Sequence, residues 1–391
     1  MKTNLICCGD NLKVLGKFPE QSIDLIYADP PFFSNRSYEV IWGNGAEMKV
    51  YEDRWKGGIN VYIGWIEPRI AQCHRVLKNT GSIYLHCDWH ANAHLRILMD
   101  RIFGERNFRN EVVWHYFMGG KAKNFFARKH DTILFYTKSN SYTFNPMKHK
   151  RRLDFKPGLE DESKDAKSGQ DEFGYYSVVT MDDVWDIRGV FNMSREYQGY
   201  RTQKPEALLK RIVQASSKKG DIVLDPFCGC GTTLVAAHEL GRKWIGIDVS
   251  PLACNLMKAR LGKLGVSDVT IVGAPKTIEE LKALEPFQFQ GWVIERISGV
   301  PSRRRSGDMG IDGYTFLTGE PVQVKQSEQV GRDVVDKFET AIRRKHKTAG
   351  YIVAFSFTRS AHEEAARARL EDGLDIKLVE IKELDQHFGP G

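Results

Sequence analysis

Asp29-Pro30-Pro31-Phe32, at the end of the apolar run from Ile23 to Ala28, is the first stretch where residue types converge on a chemistry. The two prolines stiffen the turn and bring no amide hydrogen, so backbone carbonyls beside the Asp29 carboxylate are left as acceptors. An amino group on an aromatic ring has two hydrogens to give and a lone pair tied up in conjugation. Acceptors that hold those hydrogens free the lone pair for attack. Phe32 adds a ring on which a base carrying such an amine can stack, worth about 1 to 3 kcal/mol. Alone, Asp-Pro-Pro reads as a stiff turn; its weight comes from a second loop.

Ile222-Val223-Leu224 runs into Asp225-Pro226-Phe227-Cys228-Gly229-Cys230-Gly231-Thr232-Thr233 and turns helical from Leu234, giving strand, glycine loop and helix in succession. Gly229 and Gly231 permit positive φ and a close approach of backbone to ligand. The next strand ends in Asp248, seventeen positions after Gly231, where a carboxylate can accept hydrogen bonds from ribose hydroxyls. An adenosine-type ligand is expected. The third glycine of a dinucleotide fingerprint is missing, with Leu234 at that spacing, and Asp225 would repel a pyrophosphate. The loop suits a cation instead, such as one bearing an amine and a sulfonium.

Such loops need a sheet to hold them. Apolar runs at Asn4 to Cys8, Ile23 to Ala28, Ser82 to Cys87, Glu111 to Tyr116, Thr132 to Tyr136, Ile222 to Leu224 and Trp244 to Ile247 read as strands. Helical patterns lie between several of them. The clearest runs from Tyr62 to Lys78, with Ile63, Ile66, Ile70, Cys73 and Leu77 on one stripe and Asn79-Thr80-Gly81 to stop it. The alternation predicts an α/β fold: a doubly wound, mostly parallel, seven-stranded sheet with ligands at the carboxyl ends of its strands.

The chain has 391 residues, 41% of them hydrophobic, enough for two domains or three. Pro146 to Glu172 interrupts the pattern with seven basic and seven acidic residues, and reads either as a solvated loop or as a mobile element touching a polyanion. A second break follows Val266, with a boundary expected near residue 280. The net charge of +7 permits a polyanionic partner without demanding one. No apolar run is long enough to span a bilayer, and Asp10 falls where a signal peptide needs apolar residues, so a cytoplasmic location and no membrane partner are expected. The seven cysteines are odd in number and form no C-x-x-C pair, which favours buried, reduced thiols over zinc ligands. His86, Asp88, His90 and His94 straddle a strand end and a helix start, where polar side chains satisfy solvent and helix termini, so no metal is expected there.

On these residues the first 260 or so positions resemble the amino-group DNA methyltransferases that use S-adenosylmethionine. Asp29-Pro30-Pro31-Phe32 is similar to that family's catalytic tetrapeptide, and Asp225-x-Phe227-x-Gly229-x-Gly231 to its cofactor loop. The catalytic loop comes first, which is the permuted order of the beta class. Gly9-Asp10 resembles the turn that holds the adenine ring, and Thr202-Gln203-Lys204-Pro205-Glu206 the segment opening the helix beside the methionine moiety. Lys129-His130-Asp131 resembles the start of a late strand of these enzymes.

The resemblance implies that Asp29, Pro30, Pro31 and Phe32 are catalytic, and that Asp10, Lys204, Pro205, Asp225, Phe227, Gly229, Gly231, Thr232 and Asp248 bind S-adenosylmethionine. It implies extrusion of the target nucleotide from duplex DNA, direct attack of its amino nitrogen on the methyl group and no covalent enzyme intermediate. Asp at the first position leans toward adenine N6, and Phe32 stands where Tyr is common. Target recognition is expected in an insert over about 142–203, within a methyltransferase domain over 1–275. Cytosine N4 methylation, and a nuclease whose methyltransferase-like part only recognises DNA, stay open as alternatives, as does an RNA or protein acceptor.

After the boundary, Gly307 to Tyr314 leads into Val322-Gln323-Val324-Lys325. Positions 323 and 325 of a strand face one side, so their side chains can converge with Asp312. This resembles the Mrr-type restriction-endonuclease core, implying a second, smaller α/β restriction-endonuclease-like domain over 285–391. Its possible nuclease site is Asp312, Gln323 and Lys325, with Glu295 as a further carboxylate and Mg²⁺ as a possible ion. Gln323 in place of an acid leaves one charge fewer to hold the metal. A restriction-modification setting follows, with a homodimer and a restriction partner as possible associations.

Overall fold

A computed structural model describes residues 1–34, 36–41, 47–53, 55, 57–117, 122–154, 168–191, 194–198, 202–297, 299–302, 310–315 and 318–384. Its main sheet has nine strands, in the spatial order Val184–Asp186, Phe108–His115, His130–Thr137, Leu77–Cys87, Ile23–Ala28, Ile222–Asp225, Lys243–Asp248, Leu5–Cys8 and Thr270–Val272. His130–Thr137 pairs antiparallel with both neighbours, and every other pairing is parallel. The seven expected strands are present. The two additions are three-residue edge strands: Thr270–Val272 falls in the short run Asp268 to Val272 seen in the sequence, whereas Val184–Asp186 is too short for alternation to mark it.

Apolar side chains cover both faces, as parallel strands require. Ile6 and Cys8 point into one cluster with Leu208, Ile212, Leu234 and Met257 of the helices Glu206–Ser216, Thr232–Glu239 and Pro251–Lys263. Leu5 and Cys7 point into the other with Tyr62, Ile66, Ile70 and Leu98 of Ile59–Val76 and Asn92–Phe103. The long helix buries Tyr62, Ile66, Ile70, Cys73 and Val76 at spacings of three and four, while Ile63 is only partly covered. It stops at Val76, earlier than its sequence pattern suggests, because Leu77 turns extended (φ −70°, ψ 134°). Asn79-Thr80-Gly81 then lie within the strand Leu77–Cys87 rather than in a loop.

Pro146 to Glu172 is not simply a solvated loop. Lys148–Leu153 and Ser168–Asp171 flank Gly174–Thr180 in a three-stranded antiparallel sheet, with charged side chains such as Lys150, Arg152 and Asp171 paired on its surface. Residues 155–167, 192–193 and 199–201 of the expected recognition insert lie outside the described residues. All seven cysteines are buried and unbridged. Among the described residues no helix is long and apolar enough to cross a membrane.

A five-stranded sheet follows, ordered Val300–Pro301, Gly313–Tyr314, Pro321–Lys325, Ala349–Ala354 and Asp375–Glu380. Arg332–Arg344 and Arg359–Asp372 cover one face around Phe338 and Ile352. Pro286–Arg296 covers the other through Phe289, Val293 and Ile294, and the same apolar cluster takes in Cys230, Leu252 and Ala253 of the first part.

Candidate active site

The two chemistry-bearing loops are neighbours because their strands are. Leu25 pairs with Val223 and Ile26 with Leu224, in parallel, so Ala28 and Asp225 end side by side on the carboxyl edge. A cavity of about 540 Å³ opens there, and its wall includes Asp29 and Pro31 from one loop and Asp225, Phe227, Gly229 and Thr232 from the other. Asp10, Lys204 and Asp248 join the same wall. Pro30, Phe32, Pro205 and Gly231 do not line it, although all four lie in segments that do.

Asp29 is already engaged. Lys204 Nζ donates to its Oδ1 at 2.9 Å and its Oδ2 at 2.6 Å, and the same ammonium lies 4.9 Å from the centroid of Phe32. The placement adds to the expectation from sequence: Lys204 reaches the first loop as well as the cavity. Pro31 contributes a carbonyl that accepts from the Tyr62 hydroxyl at 2.7 Å, which commits part of that acceptor and leaves the carbonyls of Asp29 and Pro30 as the other backbone acceptors of the turn.

Phe32 rests on a polar stack that sequence reasoning missed. Its ring lies 5.4 Å from that of His86, near parallel. His86 is fully buried; its Nδ1 meets the Tyr27 hydroxyl at 2.7 Å and its Nε2 meets Asp131 at 3.2 Å, while Tyr116 donates to Asp131 at 3.2 Å. Burial alone would raise the Asp131 pKa, but the bond from His86, then the charges of His86 and Lys204, hold it below the usual carboxylate value. The Tyr27 hydroxyl, buried among Asp29, Asp225 and Asp131, is pushed well up. His86 thus backs the ring of Phe32 from beneath.

The glycine loop is built by its own hydrogen bonds. Gly229 (φ 52°) and Gly231 (φ 81°) both adopt the left-handed conformation, and a Cβ at Gly231 would lie 2.7 Å from Met257 Cγ. Asp225, 2% exposed, accepts from the Thr233 hydroxyl at 2.5 Å and the Phe227 amide at 3.0 Å. Asp248 accepts from the amides of Gly229 at 2.8 Å and Ser250 at 2.9 Å. Burial pushes the Asp225 pKa up to about 7 and that of Asp248 up to about 6. Arg260, buried under the loop, donates to the Cys230 carbonyl at 3.2 Å, the Thr232 hydroxyl at 3.1 Å and Glu206 at 2.8 Å. Nothing in the loop motif announced Arg260.

Asp10 caps the helix Asn11–Leu15 by accepting from the Leu12 amide at 2.7 Å, and its other oxygen takes Arg69 Nη2 at 2.8 Å. Arg69 lies 4.1 Å over the ring of Trp65, which sits 6.0 Å from Phe227. These aromatics make an apolar slot beside a rim of acids. Five carboxyl groups, from Asp10, Asp29, Asp225, Asp248 and Glu285, face the cavity against Arg69 and Lys204, both of them paired. The donor set fits a ligand with a flat ring at one end and positive charge at the other.

In the second sheet, Asp312 Oδ2 accepts from the Val324 amide at 2.7 Å, with burial pushing its pKa up to about 6 and Lys325 pulling it down. Gln323 is 3% exposed and its Oε1 has no hydrogen-bond partner among the described residues. Asp312, Gln323 and Lys325 therefore share one neighbourhood. Glu295 does not join them. Its helix packs on the face that carries Val322 and Val324, and its carboxyl, raised to about 7 by burial, is bonded to Asn255 of Pro251–Lys263. Residues 307–309 of the loop before Asp312 lie outside the described residues.

Residues 275–388 match the family described as restriction endonuclease. DNA adenine methyltransferase YhdJ of Escherichia coli (strain K12) is 35% identical to this chain over 244 residues, which are 62% of this chain and 77% of that protein. Type II methyltransferase M.HinfI of Haemophilus influenzae is 30% identical over 276 residues, 67% of this chain and 69% of the relative. Among solved structures, PvuII DNA methyltransferase (cytosine-N4-specific) aligns with a TM-score of 0.47 at 14% identity, covering 70% of this chain and 99% of that one. Residues 23–259, more than half of the sequence, match the family described as DNA methylase, and the chain belongs to that family.

Proposed function

We propose that this chain transfers a methyl group from S-adenosylmethionine to the exocyclic N6 amino group of adenine in duplex DNA, as the modification activity of a restriction-modification system. The observation that carries the reading is the single hollow lined by Asp29 and by the Asp225–Thr232 loop. S-adenosylmethionine, when bound, supplies a methyl group made electrophilic by its sulfonium. The acid-rich wall attracts that charge, and Trp65 with Phe227 offers the slot for its adenine. Asp29 accepts one hydrogen of the target amine and a carbonyl of the same turn, from Asp29 or Pro30, accepts the other. Lys204 releases Asp29 as the base arrives, and Phe32, backed by His86, gives the base a ring to lie on. Extruding the base costs a few kcal/mol, which this stacking offsets in part.

Asp29 supports adenine over cytosine N4 through the resemblance, and the name of the Escherichia coli relative supports the same choice. In this reading residues 1–275 methylate cytoplasmic DNA and residues 285–391 form the restriction part. The Oε1 of buried Gln323, which has no hydrogen-bond partner among the described residues, lies beside Asp312 and supports a tail that holds Mg²⁺ and cuts DNA, since an acceptor at that depth suits a cation.

The test is tritium transfer from labelled S-adenosylmethionine to duplex DNA, followed by digestion and identification of the nucleoside. Asp29→Ala should abolish transfer, with N6-methyladenine as the product of the unaltered chain. Undiminished transfer would refute the role of Asp29, and N4-methylcytosine would move the target. For the tail, Mg²⁺- or Mn²⁺-dependent plasmid cutting should disappear in Asp312→Ala.

A further inference from the structure

The strands Phe108–His115 and His130–Thr137 are joined at the same edge of the sheet as Asp29, because Phe108–His115 runs in the direction of Ile23–Ala28. The neck of this hairpin is held by the Tyr116 amide, which donates to the Lys129 carbonyl at 2.9 Å, and by the Tyr116 hydroxyl on Asp131. Above the neck the aromatic side chains are uncovered. Phe126 is 98% exposed, Phe125 61% and Phe117 54%. Trp89, on the turn after Leu77–Cys87, is half exposed, and Arg128 lies 3.7 Å over its ring and 4.9 Å from that of Phe125.

Exposed aromatic rings on one hairpin and on the turn that Arg128 joins to it mark a surface that meets a partner. Charge identifies the partner class. From His115 through His130 the sequence carries Lys121, Lys123, Arg128 and Lys129 and no Asp or Glu. Basic residues interleaved with exposed aromatics suit nucleic acid, where the cations meet phosphates and the rings meet bases. The patch is also tied to the target pocket: Tyr116 bonds Asp131, Asp131 bonds His86, and His86 stacks under Phe32.

We propose that Phe125 and Phe126 form a wedge that enters the duplex and fills the gap left when the target base swings out toward Asp29, with Arg128 anchoring the neighbouring phosphate. The inference rests on the DNA-methylation reading and adds a place where the duplex is opened, outside the 142–203 insert. The bonded path from Tyr116 through Asp131 to His86 ties the neck of the hairpin to the pocket, so opening the stack and receiving the base take place at the same end of the sheet.

Long-read sequencing of DNA from expressing cells first gives the modified motif. Two duplexes are then made from it, one fully matched and one with an abasic site opposite the target adenine, which lowers the cost of extrusion. A Phe125→Ala/Phe126→Ala chain removes only solvent-exposed rings, so cofactor affinity should be unchanged. It should lose about 30-fold in kcat/KM on the matched duplex and return to within about threefold of the unaltered chain on the abasic one. Fluorescence of 2-aminopurine at the target position, which reports extrusion without methyl transfer, should fall in parallel on the matched duplex. A rate on matched DNA within about threefold of the unaltered chain overturns the wedge, as does an equal loss on both duplexes. Loss of self-association with no change on DNA would assign the patch to a second copy of the chain. Absence of any modified motif in the expressing cells would remove the methylation reading and the wedge with it, an outcome distinct from failure of the wedge alone.

Discussion

Lys204 spans Asp29 with one ammonium, both oxygens within 2.9 Å, so the acceptor proposed for the target amine is held by a cation that would have to be displaced. Lys204→Met should lower kcat/KM by about 10- to 100-fold, because a half-buried carboxylate left unpaired loses its orientation, and Lys204→Arg should restore part of it. Steady-state methyl transfer measures both. A second prediction concerns Asp225 and Asp248, whose pKa values of about 7 and about 6 exceed the ordinary 3.8. A carboxyl that binds its proton more tightly when folded stabilises the fold fully below the unfolded pKa and loses that contribution as pH rises through the folded one. The ligand-free protein should therefore lose stability from about pH 4 to about pH 7, by up to about 4 kcal/mol from Asp225 at about 1.4 kcal/mol per unit. Asp225→Asn should flatten that slope, because its amide can still accept from Phe227 and donate to the Thr233 hydroxyl. Denaturant titrations across this pH range decide it. A cation in the cavity reverses the preference, so S-adenosylmethionine binding should release protons near pH 6 to 7, read by calorimetry in buffers of different ionisation enthalpy.

Sheet order is what turns two distant loops into one site. Ile23–Ala28 and Ile222–Asp225 are nearly two hundred residues apart in sequence, yet they are adjacent at the point where the main sheet changes its winding. Gly231 starts the helix that follows, and Gly231→Ala should cost about 1 to 3 kcal/mol, since a side chain there meets both the left-handed strain and Met257. Thermal unfolding checks it, with weakened cofactor binding expected alongside. Much of this level was legible in the chain. The seven expected strands, the two loops and the helix Ile59–Val76 follow from runs, periods and stops that are local in sequence. The partners of those loops were not legible. His86 and Asp131 lie forty-five positions apart, and Tyr62 is thirty-one from Pro31; they meet only because of strand order and helix placement. Lys204 stood in a recognisable segment, but its bond to Asp29 crosses 175 positions. Glu295 was misplaced for the converse reason. A helical period shows that a face is apolar, not which side of a sheet it covers.

The two halves of the molecule share a wall. Glu285 and Phe287, at the start of the restriction-endonuclease match, line the same cavity as Asp29 and Asp248. Behind them Cys230, inside the glycine loop, packs in one apolar cluster with Phe289, Val293 and Val322. Phe287→Ala should weaken S-adenosylmethionine binding by about 3- to 10-fold, although it lies far outside the methyltransferase motifs. Isothermal titration measures the change, and an unaltered affinity would show that the shared wall makes no contact with the ligand.

That common wall bears on how such a chain survives mutation in its host. A free-standing cutter beside a free-standing protector is lethal whenever the protector fails first. With the tail cutting DNA as proposed above, Pro286–Arg296 would be floor to methyl transfer and core to the cutting domain, so a lesion along Leu252, Phe289 or Val293 would undermine both at once. Damage at this seam should disarm the system and spare the cell that carries it.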